Sequence, residues 1–169
     1  MVSRFKKEVS SESFATTPRV LVALFFLTAT SLFVPYGWAH PHNSRSVECL
    51  GLAMYWEARG EGTRGMTAVG SVVLNRVRHP EFPNSVCGVV FQGGESPPCQ
   101  FSWWCDGKSD RPRNQIQWRS ALAVAGYVLA RRIKDPTRGA LFYHSTSVSS
   151  PWHRQRQRTT QIGNHVFYR

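Results

Sequence analysis

The stretch Leu50-Gly-Leu-Ala-Met-Tyr-Trp-Glu57-Ala-Arg-Gly60-Glu-Gly62 sets the character of this chain. Leu50, Ala53, Met54 and Glu57 fall at i, i+3, i+4 and i+7, so they share one helix face and place a glutamate on the apolar stripe. The pattern predicts a helix from Val47 that breaks at Gly60, with Gly62 and Gly65 close behind. Burial among apolar and aromatic neighbours disfavours a carboxylate and raises its pKa. A carboxyl that keeps its proton near neutral pH is what a general acid requires, which makes Glu57 the candidate catalytic residue. The alternative is a structural glutamate paired with Arg59 or Arg76. On an unbroken helix Glu61 would neighbour Glu57, near the separation of a retaining-glycosidase pair, but Gly60 argues against that geometry.

Working outward, a second helix is predicted from Thr63 to Arg78, with Met66, Val69, Val73 and Val77 as its buried face and His79-Pro80 as its stop. Residues 80–114 read as loop with little regular structure, and so long a loop in a small domain is usually functional. Trp118 to Ile133 reads as a third helix, with Trp118, Leu122, Ala125, Leu129 and Ile133 facing the core. Arg131, Arg132 and Lys134 complement its macrodipole, and Asp135-Pro136 ends it. Ala140–His144 and His165–Tyr168 are short aromatic runs suited to strands. The expected fold class is α+β, mainly helical, a single domain over 47–169 behind a flexible leader at 40–46.

Composition narrows the compartment. The 169 residues hold 21 Lys plus Arg against 10 Asp plus Glu, a net charge of +11, and 41% hydrophobic content excludes a disordered chain. Residues 1–39 have a basic flank, an uncharged core at Val20–Val34 and a small-x-small end at Gly37 and Ala39, the order of a secretory signal peptide. An uncleaved anchor is the alternative, although a spanning helix needs about 20 apolar residues and Pro35 interrupts this one. The protein is therefore expected to be exported, to the periplasm, the cell envelope or the medium, with membrane contact only through that segment. Residues 40–169 keep 17 basic and 8 acidic groups, a net +9. No zinc-finger spacing or long Lys/Arg run points to nucleic acid, so the charge suits an anionic wall polymer. Cys49, Cys87, Cys99 and Cys105 include no Cys-x-x-Cys pair, and an oxidising compartment favours two disulfides among three possible pairings. Cys99 and Cys105 flank a short loop and are able to close on each other.

Further candidates lie downstream. In Cys99-Gln-Phe-Ser-Trp-Trp-Cys-Asp-Gly107, Phe101 and Trp103 offer flat faces for sugar stacking while Gln100, Ser102 and Asp106 offer hydrogen bonds. The same loop also reads as a disulfide-pinned segment whose aromatics simply pack. Asn75 either orients a substrate group or caps its turn. His144, beside Tyr143, suits a hydrogen-bonding wall of a cleft. His144, His153 and His165 match no metal-ligand spacing, so neither a metal nor another cofactor is expected.

Taken in order, these segments resemble the SleB/CwlJ-type cell-wall hydrolase family. The residues that carry the resemblance are Leu52–Gly62, Gly65–Val69, Val73–Val77, Phe82–Gln92, Cys99–Ser102, Cys105–Gly107, Tyr143-His144 and Ile162–Tyr168. The resemblance implies a lysozyme-like or lytic-transglycosylase-like domain that cuts peptidoglycan between N-acetylmuramic acid and N-acetylglucosamine. It implies Glu57 as general acid and base, with no second carboxylate required. The candidate substrate-binding residues are Glu61, Asn75, Gln100, Phe101, Ser102, Trp103, Asp106, Tyr143, His144, Trp152 and His165, and a monomer is expected. After Tyr143-His144 the chain departs from the family pattern, reading Val148-Ser-Ser-Pro-Trp152 where relatives tend to carry Val-x-Pro-x-Trp. Two other functions stay in view, a zinc-dependent amidase on the same polymer and a non-catalytic wall-binding module.

Overall fold

The computed structural model describes residues 44–148 and 151–169; the signal-like segment 1–39 lies outside them. Helix α1 spans Ser44–Ala58, so the last residues assigned to the leader are already helical. A 3-10 turn at Arg59–Glu61 follows, then α2 at Gly62–Val77, α3 at Val86–Val90, a 3-10 turn at Ser102–Cys105 and α4 at Gln115–Leu129. The chain ends in β1 (Phe142–Ser145), a 3-10 turn at Pro151–Gln155, β2 (Arg158–Ile162) and β3 (His165–Tyr168). The sheet is antiparallel in the order β1-β3-β2.

Helices α1, α2 and α4 enclose the main core. Leu50, Ala53, Met54, Val69, Val73, Ala121 and Ala125 are fully buried, and the predicted stripe of α1 is on the inside. The end of the Met54 side chain from α1 fills the space over Gly70 of α2 that a β-carbon would otherwise occupy. A smaller core joins Ala68 and Val72 of α2 to Ala140, Ile162 and Phe167, which seats the sheet on the second helix.

Three expectations need correction. The third helix begins and ends earlier than predicted, capped by Asn114, whose Oδ1 accepts from Gln117 N at 3.1 Å. Its buried line is Ala121, Val124, Ala125 and Val128, with Trp118, Leu122 and Leu129 flanking it half-buried. Trp118 and Leu122 lie against α1 at Gly51, where a β-carbon would stand 3.1 and 3.0 Å from them. Residues 80–114 hold α3 and a 3-10 turn rather than plain loop. Valines are weak helix formers, so α3 owes its existence to burial of Val86, Val89 and Val90 and to the Ser85 cap on Gly88 N. Strand β2, Arg-Thr-Thr-Gln-Ile, was masked by its polar side chains and is held by pairing with β3.

The disulfides pair Cys49 with Cys87, tying α1 to α3, and Cys99 with Cys105, closing the aromatic loop.

Candidate active site

Glu57 sits one residue before the end of α1, and groups from four other elements act on its carboxyl. Tyr143 of β1 donates its hydroxyl to Glu57 Oε2 at 3.0 Å. Burial pushes the Glu57 pKa up; the Tyr143 bond, the charges of His165 and Arg76 and the nearby Trp103 indole pull against that without reversing it. Tyr143 is itself pushed well above the ordinary tyrosine range, by burial and by the facing glutamate, so it remains a donor. Neither proposed ion pair forms. Arg59 instead stacks over the Tyr55 and Trp56 rings, 4.7 and 4.9 Å from their centroids.

Arg76 was not among the predicted site residues, yet it braces the site from behind. It is 2% exposed. Its Nε donates to Leu141 O at 2.7 Å, and with the Gln100 amide turned to face it, Nη1 and Nη2 donate to the Gln100 oxygen at 3.1 and 3.2 Å. Rings of Phe82, Phe101 and Phe142 lie 5.2 to 5.9 Å from its guanidinium carbon. Burial lowers its pKa to about 10, still charged at neutral pH. One buried cation thus ties the disulfide loop to the entry of β1. Its sequence signal was faint, because Arg76 lies one step from the buried line of α2 and looks like a surface arginine.

Glu61 is engaged by the β2–β3 turn. Its Oε1 accepts from Asn164 N at 3.1 Å, and Oε2 lies 3.1 Å from Nδ1 of His165. It reaches the tight turn at Gly163 (φ 54°), where a β-carbon would stand 2.6 Å from Oε2. Glu61 and His165 together pin the β2–β3 turn to the start of α2. The His165 ring meets Tyr143 edge-on at 5.1 Å, so the pair also supports the hydroxyl that holds Glu57.

The remaining predicted residues divide. Trp103 is 8% exposed and stacked between Trp56 at 6.5 Å and Phe101 at 6.2 Å; its indole N–H is near enough to Glu57 to favour the carboxylate, yet lies outside good hydrogen-bond geometry. Phe101 is 3% exposed. Both rings pack in the main core, and Trp103 also lines a cleft that Asp106 shares. Ser102 and Asp106 are exposed, and Asp106 accepts from Lys108 N at 2.9 Å. Asp106 lines a cleft of about 280 Å³ with Trp56, Arg59, Trp103, Asp110 and Arg113. Trp103 links this cleft to the Glu57 region, since its ring lines the one and its indole lies near the other.

Asn75, His144 and Trp152 lie elsewhere. Asn75 donates to Asp135 Oδ2 and Ala140 O, both at 3.0 Å, and accepts from Arg78, so its amide is occupied in holding the α2 end to residues 135–140. Strand alternation turns His144 to the face opposite Tyr143. There it stacks on Tyr168 at 5.3 Å, with Trp152 edge-on at 5.6 Å. Its Nδ1 lies 2.8 Å from Ser145 O and its Nε2 3.0 Å from Tyr168 Oη. Among the described residues no group of three His, Cys, Asp or Glu is placed to hold a metal ion.

A mainly helical domain with a small sheet, carrying a carboxyl that burial biases toward its protonated form, has the build of a lysozyme-like hydrolase. The chain belongs to the Cell Wall Hydrolase family, which it matches over residues 60–168, a span that opens just after Glu57. It is 35% identical over 127 residues to the spore cortex-lytic enzyme of Bacillus subtilis (strain 168), covering 74% of this chain and 38% of that protein. The spore cortex-lytic enzyme of Bacillus cereus is 33% identical over 136 residues, 79% of this chain and 46% of the relative. The match thus spans less than half the length of these relatives. The catalytic domain of Bacillus cereus SleB superposes with a TM-score of 0.58 at 31% identity, covering 76% of this chain and 92% of that one. The catalytic domain of the germination-specific lytic transglycosylase SleB from Bacillus anthracis gives 0.59 at 30% identity, covering 77% and 98%.

Proposed function

We propose that this protein is an exported enzyme that cuts the peptidoglycan glycan strand between N-acetylmuramic acid and N-acetylglucosamine, as a lytic transglycosylase with Glu57 as its acid and then its base. The observation that carries the reading is the half-buried Glu57 carboxyl, biased toward its protonated form and aimed by one hydroxyl. Protonated Glu57 gives its proton to the glycosidic oxygen as the bond to the muramic C1 breaks. The resulting carboxylate then takes the proton of the muramic 6-hydroxyl, whose oxygen bonds to C1 and leaves a 1,6-anhydro end. Tyr143, Arg76 and His165 all favour the charged form, so they ease the proton's departure and hold the carboxylate ready for its second task. One carboxyl suffices, in keeping with Glu61 being engaged by Asn164 and His165. The relatives named as cortex-lytic enzymes and as a lytic transglycosylase support the same substrate and reaction.

The test is digestion of purified sacculi by the protein and by Glu57→Gln, with mass spectrometry of the soluble products. Anhydro-muropeptides from the first and none from the second are expected. Reducing ends would replace transglycosylation by hydrolysis. Free stem peptides, abolished by a chelator, would replace the glycosidase by an amidase, and equal activity of the two proteins would remove Glu57 from the mechanism.

A further inference from the structure

Away from the cleft, one face of the domain carries charge of almost a single sign. Arg78 after α2, Arg131, Arg132 and Lys134 after α4, and Arg138 and Arg169 are all exposed. The acidic residue among them, Asp135, is engaged internally. Its carboxylate accepts from Thr137 N and Oγ1 at 2.7 and 2.6 Å, Gly139 N at 2.9 Å and Asn75 Nδ2 at 3.0 Å. From Pro136 to Arg169 the sequence holds no Asp or Glu. Two hollows, of about 450 and 170 Å³, cross this face and share Arg78; Arg169 lines the larger and Arg131 the smaller. Neither shares a residue with the cleft lined by Trp56, Trp103 and Asp110. Arg131 and Arg138 hold φ of 53° and 61°, a conformation arginine rarely adopts, so two turns that would suit glycine or asparagine carry cations instead.

We propose that this face is a second contact for the wall polymer, separate from the cleft, and that its ligands are the carboxylates of the stem peptides carried by the glycan strand. The inference rests on the substrate proposed above. Guanidinium forks pair with carboxylates through two parallel hydrogen bonds, and five of these six cations are arginines. A one-sign surface attracts an anionic polymer over roughly one Debye length, about 10 Å at 0.1 M salt. A strand gripped here stays at high effective concentration at the cleft, so the enzyme remains on the wall between cuts.

Binding is read in the full chain carrying Glu57→Gln, so that the wall is not consumed and the result does not depend on cleavage. The test variant adds Arg131→Asn, Arg132→Gln and Arg138→Asn, keeping residues that tolerate the two left-handed turns. A control of equal charge adds Arg64→Gln, Arg119→Gln and Arg154→Gln. Co-sedimentation with purified sacculi at about 50 mM salt should fall roughly tenfold for the test variant and less than about twofold for the control, both differences closing near 500 mM. Sacculi stripped of stem peptides by an amidase should bind the unsubstituted face and the test variant alike. Equal losses in test and control would overturn the proposal in favour of net charge alone. A difference that survives peptide removal would assign the face to phosphate-bearing polymers, and a difference seen only on anionic-lipid vesicles would assign it to the membrane; either overturns it. Near-ultraviolet circular dichroism guards against misfolding. With Glu57 intact, the three test substitutions should leave cleavage of a short, peptide-free soluble glycan unchanged, and an equal loss there would also overturn it.

Discussion

Replacing Tyr143 with phenylalanine isolates one atom of the site. The hydroxyl lost is the one 3.0 Å from Glu57 Oε2. The ring keeps its edge-on contact with His165 at 5.1 Å and its contact with Phe167 at 5.6 Å, so the packing under the site is unchanged. A hydrogen bond to a charged partner contributes about 1.5–3 kcal/mol. Because this one is strongest when Glu57 is ionised, its loss falls on the steps in which the carboxylate forms and acts. If all of it is expressed there, turnover on sacculi should drop by roughly 10- to 150-fold. The pH profile carries the sharper signature. Tyr143 lowers the pKa of Glu57, so its removal raises that pKa further. Activity that requires protonated Glu57 is lost as pH rises through that pKa, so the alkaline limb of Tyr143→Phe must move to higher pH. Initial rates of soluble-fragment release across the pH range, on protein with unchanged circular dichroism, provide the assay. A limb that stays in place or moves down would refute the assignment of Tyr143 as the partner that holds Glu57, whatever the loss of rate.

Other expectations follow from the same geometry. Glu57→Gln should be more stable than the parent at neutral pH. Glu57 has a raised folded pKa, so the native state holds the extra proton and stability falls as pH rises above the unfolded carboxyl value; the gain seen by thermal unfolding should vanish below that value. Arg76→Lys cannot reach both Leu141 O and Gln100, so it should cost about 1–3 kcal/mol in chemical denaturation and lower activity as well. Asn75→Ala should cost about 1–3 kcal/mol of stability while leaving turnover of the folded enzyme near that of the parent, since its amide serves Asp135 and Ala140. Removing the Cys49–Cys87 link, which closes a separation of 38 residues, should destabilise by about 4 kcal/mol, against about 2 for the Cys99–Cys105 link across 6.

Short-range periodicity made much of the scaffold readable. Leu50, Ala53 and Met54 lie on the face their spacing predicts, Glu57 shares it, and the glycines end α1 as expected. These are local facts, decided by 3.6-residue repeats and by residues that break them. The strand at Arg158–Ile162 and the helix at Val86–Val90 were not local facts, because a partner strand and a packed core stabilise segments whose own preferences are weak. Phe101 and Trp103 illustrate the ambiguity of composition: an aromatic-rich loop reads equally as a sugar platform or as core, and the fold buries both rings while leaving Trp103 on the cleft wall.

What the sequence determined alone was the candidate acid, Glu57, on an apolar helix face, together with an arginine-rich charge of +11 awaiting an anionic partner. Tertiary structure decided how that acid works. Tyr143 is 86 residues from Glu57 along the chain and touches it only because the sheet packs on α2. Arg76 became a buried brace because β1 and the disulfide loop close over it, and Glu61 became a strut because the β2–β3 turn folds back to it. A helix repeat fixes which residues share a face; it carries no information about which distant groups will meet that face, and those groups set the protonation of Glu57.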